Sequence, residues 1–187
     1  MSGSFYYFIS SLPEIRLGEK PLVSSSEFLS SCEEQLSLDQ FQLISELGTL
    51  PKSAYDQRSD LLGKWNQYDT SLRNAIVKLR AGKYNTDPQA FLAEEIEVFG
   101  NIDNQVLEAQ KRGPLLGEEH LDQLRWQFLD NLLVGHQFDF DVLVAYRLKL
   151  LIAEKYSFVI PEEGHKAFNQ LLEAQLDSDL LRECLNA

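Results

Sequence analysis

This sequence predicts an all-α fold, an irregular bundle of roughly seven to nine helices, on three observations. Apolar residues recur at spacings of three and four along most of the chain. Capping residues and Gly or Pro breaks stand where those stripes begin and end. Runs of β-branched residues with period two, which would ask for strands, are scarce.

The elements follow in order. The chain opens on Phe5-Tyr6-Tyr7-Phe8-Ile9, large apolar or aromatic residues where a terminus is normally polar and frayed. Left exposed they would be a solubility liability. They predict a segment docked into the core or onto a partner, either as a short extended stretch or as a buried helix, between which periodicity does not decide. The run is too short for a signal peptide and lacks a basic n-region and a small-residue cleavage site. Ser24-Ser25-Ser26-Glu27 predicts a helix over 25–35. Ser37 with Gln40 forms a capping box before a helix whose stripe is Leu38, Phe41, Ile44 and Leu47, with Gly48 to end it.

A break at Leu50-Pro51 precedes a long helix over roughly 54–82, with a seam of Leu61, Trp65, Tyr68, Leu72, Ile76 and Leu79 and a stop at Gly82. Such a seam is core more often than a partner-binding stripe. Arg73, Lys78, Arg80 and Lys83 gather near its C-terminal end, where cations suit the helix dipole. Asp87-Pro88 predicts a further helix carrying Phe91, Leu92, Ile96 and Phe99, and Ile102 to Lys111 a short polar one. Gly113-Pro114 is the strongest internal break. A helical hairpin is expected over about 117–157. Its first helix shows Leu121, Leu124, Phe128 and Leu132 on one face, widened by Trp126 and Leu133. The second starts after Asp139 and is apolar on two sides, which predicts burial between layers or at an interface. Pro161-Glu162-Glu163-Gly164 opens a last pair of helices with Phe168, Leu171, Leu172, Leu176, Leu180, Leu181 and Leu185. The organisation expected is one helical domain over 1–187, with two packed lobes at about 1–112 and 115–187 as its subdivision.

Charge narrows the partners. The net charge is −12. Residues 1–93 hold 11 acidic and 9 basic residues (−2), and residues 94–187 hold 18 and 8 (−10). That field repels phosphate backbones and anionic lipid, so neither nucleic-acid binding nor lipid insertion is expected. A basic protein surface is the natural complement. Cys32 and Cys184 lie far apart without CxxC spacing or a secretory signal, which predicts reduced thiols in a cytoplasmic protein. No apolar run approaches the roughly 18–20 residues of a membrane span.

No chemistry assembles in the sequence. Glu162 and His165 have the i, i+3 spacing of a di-metal helix, but only one such pair exists where two pairs and two further glutamates are needed. His136, Asp139 and Asp141 form the other arrangement to test for a divalent ion, against capping by the aspartates with Phe138 and Phe140 as anchors. Glu94-Glu95 and Glu118-Glu119 point to different sides of a helix. There is no G-x-S-x-G, no phosphate-binding loop around Gly63-Lys64 and no dinucleotide fingerprint. The expectation is a non-enzyme with no catalytic, cofactor-binding or metal-binding residues and no cofactor.

Two stretches carry a family resemblance. Tyr6-Tyr7-Phe8-Ile9-Ser10-Ser11-Leu12-Pro13 resembles the start of a bacterial family of unknown function encoded beside V-type (A/V-type) ATPase subunits. Phe138-Asp139-Phe140-Asp141-Val142-Leu143-Val144-Ala145-Tyr146-Arg147-Leu148-Lys149-Leu150 resembles its C-terminal helix motif. The resemblance implies a protein standing in the place of the d-like (C-type) subunit of other V-type ATPases, an all-helical link between rotor stalk and membrane ring. It implies a peripheral position at the cytoplasmic face of the membrane. Members of that family are expected to run longer, so part of the architecture is expected to be trimmed here. The other reading of the residues is an acidic all-helical adaptor or regulator that binds a basic protein partner.

Overall fold

Four of the described helices start at side-chain caps. Ser24 Oγ accepts from Glu27 N at 3.3 Å while Ser24 N donates to Glu27 Oε2 at 2.8 Å, a reciprocal box that opens α2 (Ser25–Gln35). Ser37 and Gln40 do the same for α3 (Leu38–Glu46). Ser59 Oγ accepts from Leu62 N at 3.4 Å at the head of α4 (Asp60–Tyr84). Asp139 Oδ1 accepts from Val142 N at 3.3 Å at the head of α7 (Phe140–Ser157). Between them lie α5 (Ile102–Lys111) and α6 (Pro114–Leu132), the latter with proline in its first turn. The computed structural model describes residues 5–48, 59–93 and 99–157, and among them there are seven α-helices and no strand.

Several boundaries differ from expectation. The N-terminal segment is not extended: Tyr6–Ser11 forms the short helix α1. The long helix does not stop at Gly82. It runs on to Tyr84 and closes at Asn85, whose φ of 51° is the left-handed geometry that Asn tolerates. Thr86 N then reaches back to Ala81 O at 3.0 Å, satisfying a last-turn carbonyl. Of the helix expected after Pro88, residues 94–98 lie outside the described residues, and the part before them is a 3₁₀ turn, Gln89–Phe91, with Phe91 exposed. Its cause is a long-range clamp: Asn74 Nδ2 donates to Ala93 O at 2.8 Å and Ala93 N donates to Asn74 Oδ1 at 3.0 Å. Both backbone groups of Ala93 are thus taken by α4. Leu38, assigned to the α3 stripe, is exposed, and the hairpin's first helix starts at Pro114 rather than 117. Residues 54–58, Ile96 and the final helix pair beyond 157 lie outside the described residues.

Two apolar clusters organise the helices. The first joins Phe28 and Cys32 of α2, Leu43 and Ile44 of α3, Leu61, Leu62 and Trp65 of α4, Leu129 of α6, and Leu143, Val144, Ala145, Leu148 and Leu150 of α7. The second joins Tyr68, Leu72 and Ala75 of α4 with Ile102 and Val106 of α5 and Leu121 and Leu124 of α6. α4 runs through both, so its seam is core: Tyr68 stacks on Phe128 with centroids 3.9 Å apart and planes 5° from parallel. α7 buries residues from both of its apolar faces, as its pattern predicts.

Contact between α5 and α6 depends on one missing side chain. A Cβ at Gly117 would lie 2.6 Å from the Ala109 carbonyl oxygen. In an open helix interior Gly→Ala gains about 1 kcal/mol from propensity. Here the obstacle is backbone, so Gly117→Ala is expected to destabilise by about 1–3 kcal/mol. Urea unfolding measures it, and a stabilised variant would mean that α5 yields freely.

Candidate interaction surface

The turn between α6 and α7 gathers most of the residues singled out in the sequence. Phe5 N donates to Phe138 O at 2.9 Å, and the Tyr6 ring sits 4.6 Å from that of Phe138. Phe8 stacks on Phe28, Phe28 meets Tyr146 at 5.0 Å, and Tyr146 OH donates to Pro13 O at 2.9 Å. The aromatic start is therefore docked on the chain's own first core, with Phe5, Phe8, Ile9 and Leu12 packed against it. Tyr6 and Tyr7 are the exceptions, 50% and 88% exposed. Together they leave a small aromatic surface at the mouth of this turn.

The same turn brings His136, Asp139 and Asp141 together. His136 Nδ1 lies 2.6 Å from Asp139 Oδ2 and 3.8 Å from Asp141 Oδ2. The remaining oxygens are engaged: Asp139 Oδ1 caps α7, and Asp141 Oδ1 accepts from Ser59 Oγ at 3.1 Å. The cluster thus links the turn to the heads of α4 and α7. Among the described residues no group of three or more His, Cys, Asp or Glu side chains is placed to hold a metal ion. Glu162, His165 and Cys184 lie outside the described residues.

What sequence reasoning missed is the buried charge. Arg147 is only 6% exposed. Its Nη1 donates to Ser25 Oγ, while Ser25 donates through its backbone N at 2.6 Å and through Oγ to the two oxygens of Glu154. Burial pulls the Arg147 guanidinium below its ordinary range, and Glu154 pulls it back. This triad fastens the first residue of α2 to α7. A second network centres on Asp69 and Asp122, 2% and 3% exposed. Asp69 accepts from Arg73 at 2.9 Å and from Arg125 at 2.8 Å; Asp122 accepts from Arg125 and from Lys155, each at 2.9 Å. It ties α4, α6 and α7 together. A signal existed for Arg147: it stands four residues after Leu143 and three before Leu150 on a helix apolar on two sides, so its burial was implied.

Burial also silences the thiol of Cys32. Desolvation pushes it up to about 12, against an opposing pull from Arg147. Tyr146 is likewise raised to about 12 by burial. Both groups keep protons in the folded chain at pH values where the unfolded chain has lost them. The stability they contribute is full below the ordinary thiol range and falls as pH rises from about 9 toward 12. Unfolding midpoints in urea are expected to fall over that range. With Cys184→Ser, a thiol reagent at about pH 8 should label Cys32 only as fast as the chain opens. Rapid labelling of folded protein would contradict its placement.

Comparison with known proteins gives one finding. A family model described as "Protein of unknown function (DUF2764)" matches residues 50–178. The matched region takes in Phe138–Leu150 and leaves out the aromatic start Tyr6–Pro13. No curated protein and no solved structure matches the chain.

Proposed function

The chain belongs to the DUF2764 family of proteins of unknown function, and on that premise we propose that it is a non-catalytic subunit or accessory protein of a bacterial V-type ATPase, coupling the rotor stalk to the membrane ring in the manner of the d-like (C-type) subunit. One observation carries the reading. The stretch that resembles the family encoded with V-type ATPases, Phe138–Leu150, lies inside the matched region and builds most of α7, the helix at the centre of the first core. Coupling torque asks for a body that resists deformation, and interiors packed at crystal-like density transmit strain. An α7 buried on both apolar faces, hydrogen-bonded to Ser25 of α2 through Arg147 and Glu154 and ion-paired to Asp122 of α6 through Lys155, supports that role. No helix among the described residues is long and apolar enough to cross a membrane, and the proposed position is peripheral, at the cytoplasmic face.

The test is affinity purification of the tagged protein from the native membrane fraction. Rotor and membrane-ring subunits in stoichiometric amounts are expected, and their absence would overturn the proposal. A second reading has its own support: residues 94–187 carry 18 acidic against 8 basic residues, which favours an adaptor gripping a basic partner. Recovery of basic partners unconnected to an ATPase would favour it.

A further inference from the structure

The C-terminal part of α4, α5 and the first turns of α6 surround a groove of about 380 Å³. Ile76 and Leu79 of α4, Val106 and Ala109 of α5 and Leu121 of α6 make its lining apolar. Its α4 rim is basic. Arg80 and Lys83 stand there, both exposed, and Arg80 forms no ion pair among the described residues. At the end of the groove α6 begins at Pro114, and its cap residue Gly113 supplies no side-chain acceptor, so the positive end of the helix dipole faces the same opening. Tyr84, 70% exposed, adds apolar surface to the lining.

We propose that this groove seats an acidic amphipathic helix of a partner protein, with one apolar side chain entering it and a flanking carboxylate set against Arg80 and Lys83. The size argues for a helix lying across the opening and sending in one anchor: about 380 Å³ lined from three helices holds a large apolar side chain, the way an amphipathic helix docks on an apolar groove. The charge argues for its chemistry. On a chain of net charge −12, this basic rim is a local field, effective over about one Debye length, roughly 8–10 Å. It suits one or two carboxylates held close. A polyanion or an anionic membrane would instead feel the long-range repulsion of the whole molecule. Glu118 on the α6 wall sets the direction, since the partner's acidic residues must lie toward α4. The ATPase reading is not needed for this inference.

Fluorescence anisotropy with the full chain and two labelled synthetic helical peptides tests it. One peptide carries a leucine stripe flanked by glutamates; the other has lysines in their place. The glutamate peptide is expected to bind saturably and about tenfold more tightly than the lysine peptide, and to lose about tenfold in affinity when Arg80→Glu is combined with Lys83→Glu at these exposed positions. Absent binding, equal binding of the two peptides, or an unchanged double variant overturns the proposal. A dimer dispersed by the same charge reversals would make the occupant a second copy. A zero-length cross-link from Lys83 to a carboxylate beyond residue 157 of the same chain would make it the protein's own acidic sequence. Either result also overturns the partner-helix proposal.

Discussion

Arg147→Ala is expected to lower the unfolding free energy by about 2–4 kcal/mol, because it empties a buried site and leaves half-buried Glu154 without the positive charge that faces it across Ser25. Glu154 would keep its hydrogen bonds from Ser25 and lose its counter-charge, in a place where Arg147 itself is 6% exposed. A paired replacement separates the charge from the packing. Arg147→Met together with Glu154→Gln removes both charges and keeps most of the volume, and should recover much of the loss, since buried ion pairs are often replaceable by neutral groups of similar shape. Urea unfolding of the two variants beside the parent chain measures both. A loss below about 1 kcal/mol for Arg147→Ala would mean that water reaches the site and screens Glu154.

The second large effect lies at the Asp69–Arg125–Asp122 network. Asp122→Asn keeps the shape of the side chain but withdraws the carboxylate that faces both Arg125 and Lys155. A cost of about 2–4 kcal/mol is expected. Lys155 is largely exposed and finds water, whereas Arg125 is mostly buried. Arg125 still has Asp69 at 2.8 Å, so the single change leaves it with one anion. Adding Asp69→Asn removes the last, and the double variant is expected to lose at least about 1 kcal/mol more than the two single losses combined. Additive losses would show that Arg125 does not join the two carboxylates energetically.

Local chemistry was the legible part of the fold. Ser24 with Glu27 and Ser37 with Gln40 announce α2 and α3, because a capping box is built from neighbours in sequence. Ile102–Lys111 keeps its predicted bounds, and α7 is buried as its two apolar faces require. Most of what escaped depends on partners distant in sequence. The 3₁₀ turn at Gln89–Phe91 is held by Asn74, whose amide takes both backbone groups of Ala93; Pro88 and its apolar followers carry no trace of that clamp. Gly82 reads as a stop but lies inside α4, since a left-handed Asn three residues on closes the helix instead.

The candidate site was legible only as a set of residues. His136, Asp139 and Asp141 group correctly because the turn is short. Capping by the aspartates was also legible, since Asp139 caps α7 at Val142, three residues on, whereas the cross-link made by Asp141 becomes visible only with Ser59 of the α4 head in place. The docking of Phe5 and Tyr6 onto Phe138 joins stretches more than a hundred residues apart, which no local pattern encodes. Buried Asp69 and Asp122 look like ordinary surface acids on their own helices until Arg125 and Lys155 are seen to converge on them.

The most direct test of a coupling role is the number of ions pumped per ATP hydrolysed, measured in membrane vesicles from cells with and without this protein. Loss of the protein should leave hydrolysis by the catalytic head running while pumping per ATP falls sharply, and re-addition of the purified chain should restore the ratio. An unchanged ratio in vesicles that lack the protein would contradict the coupling role.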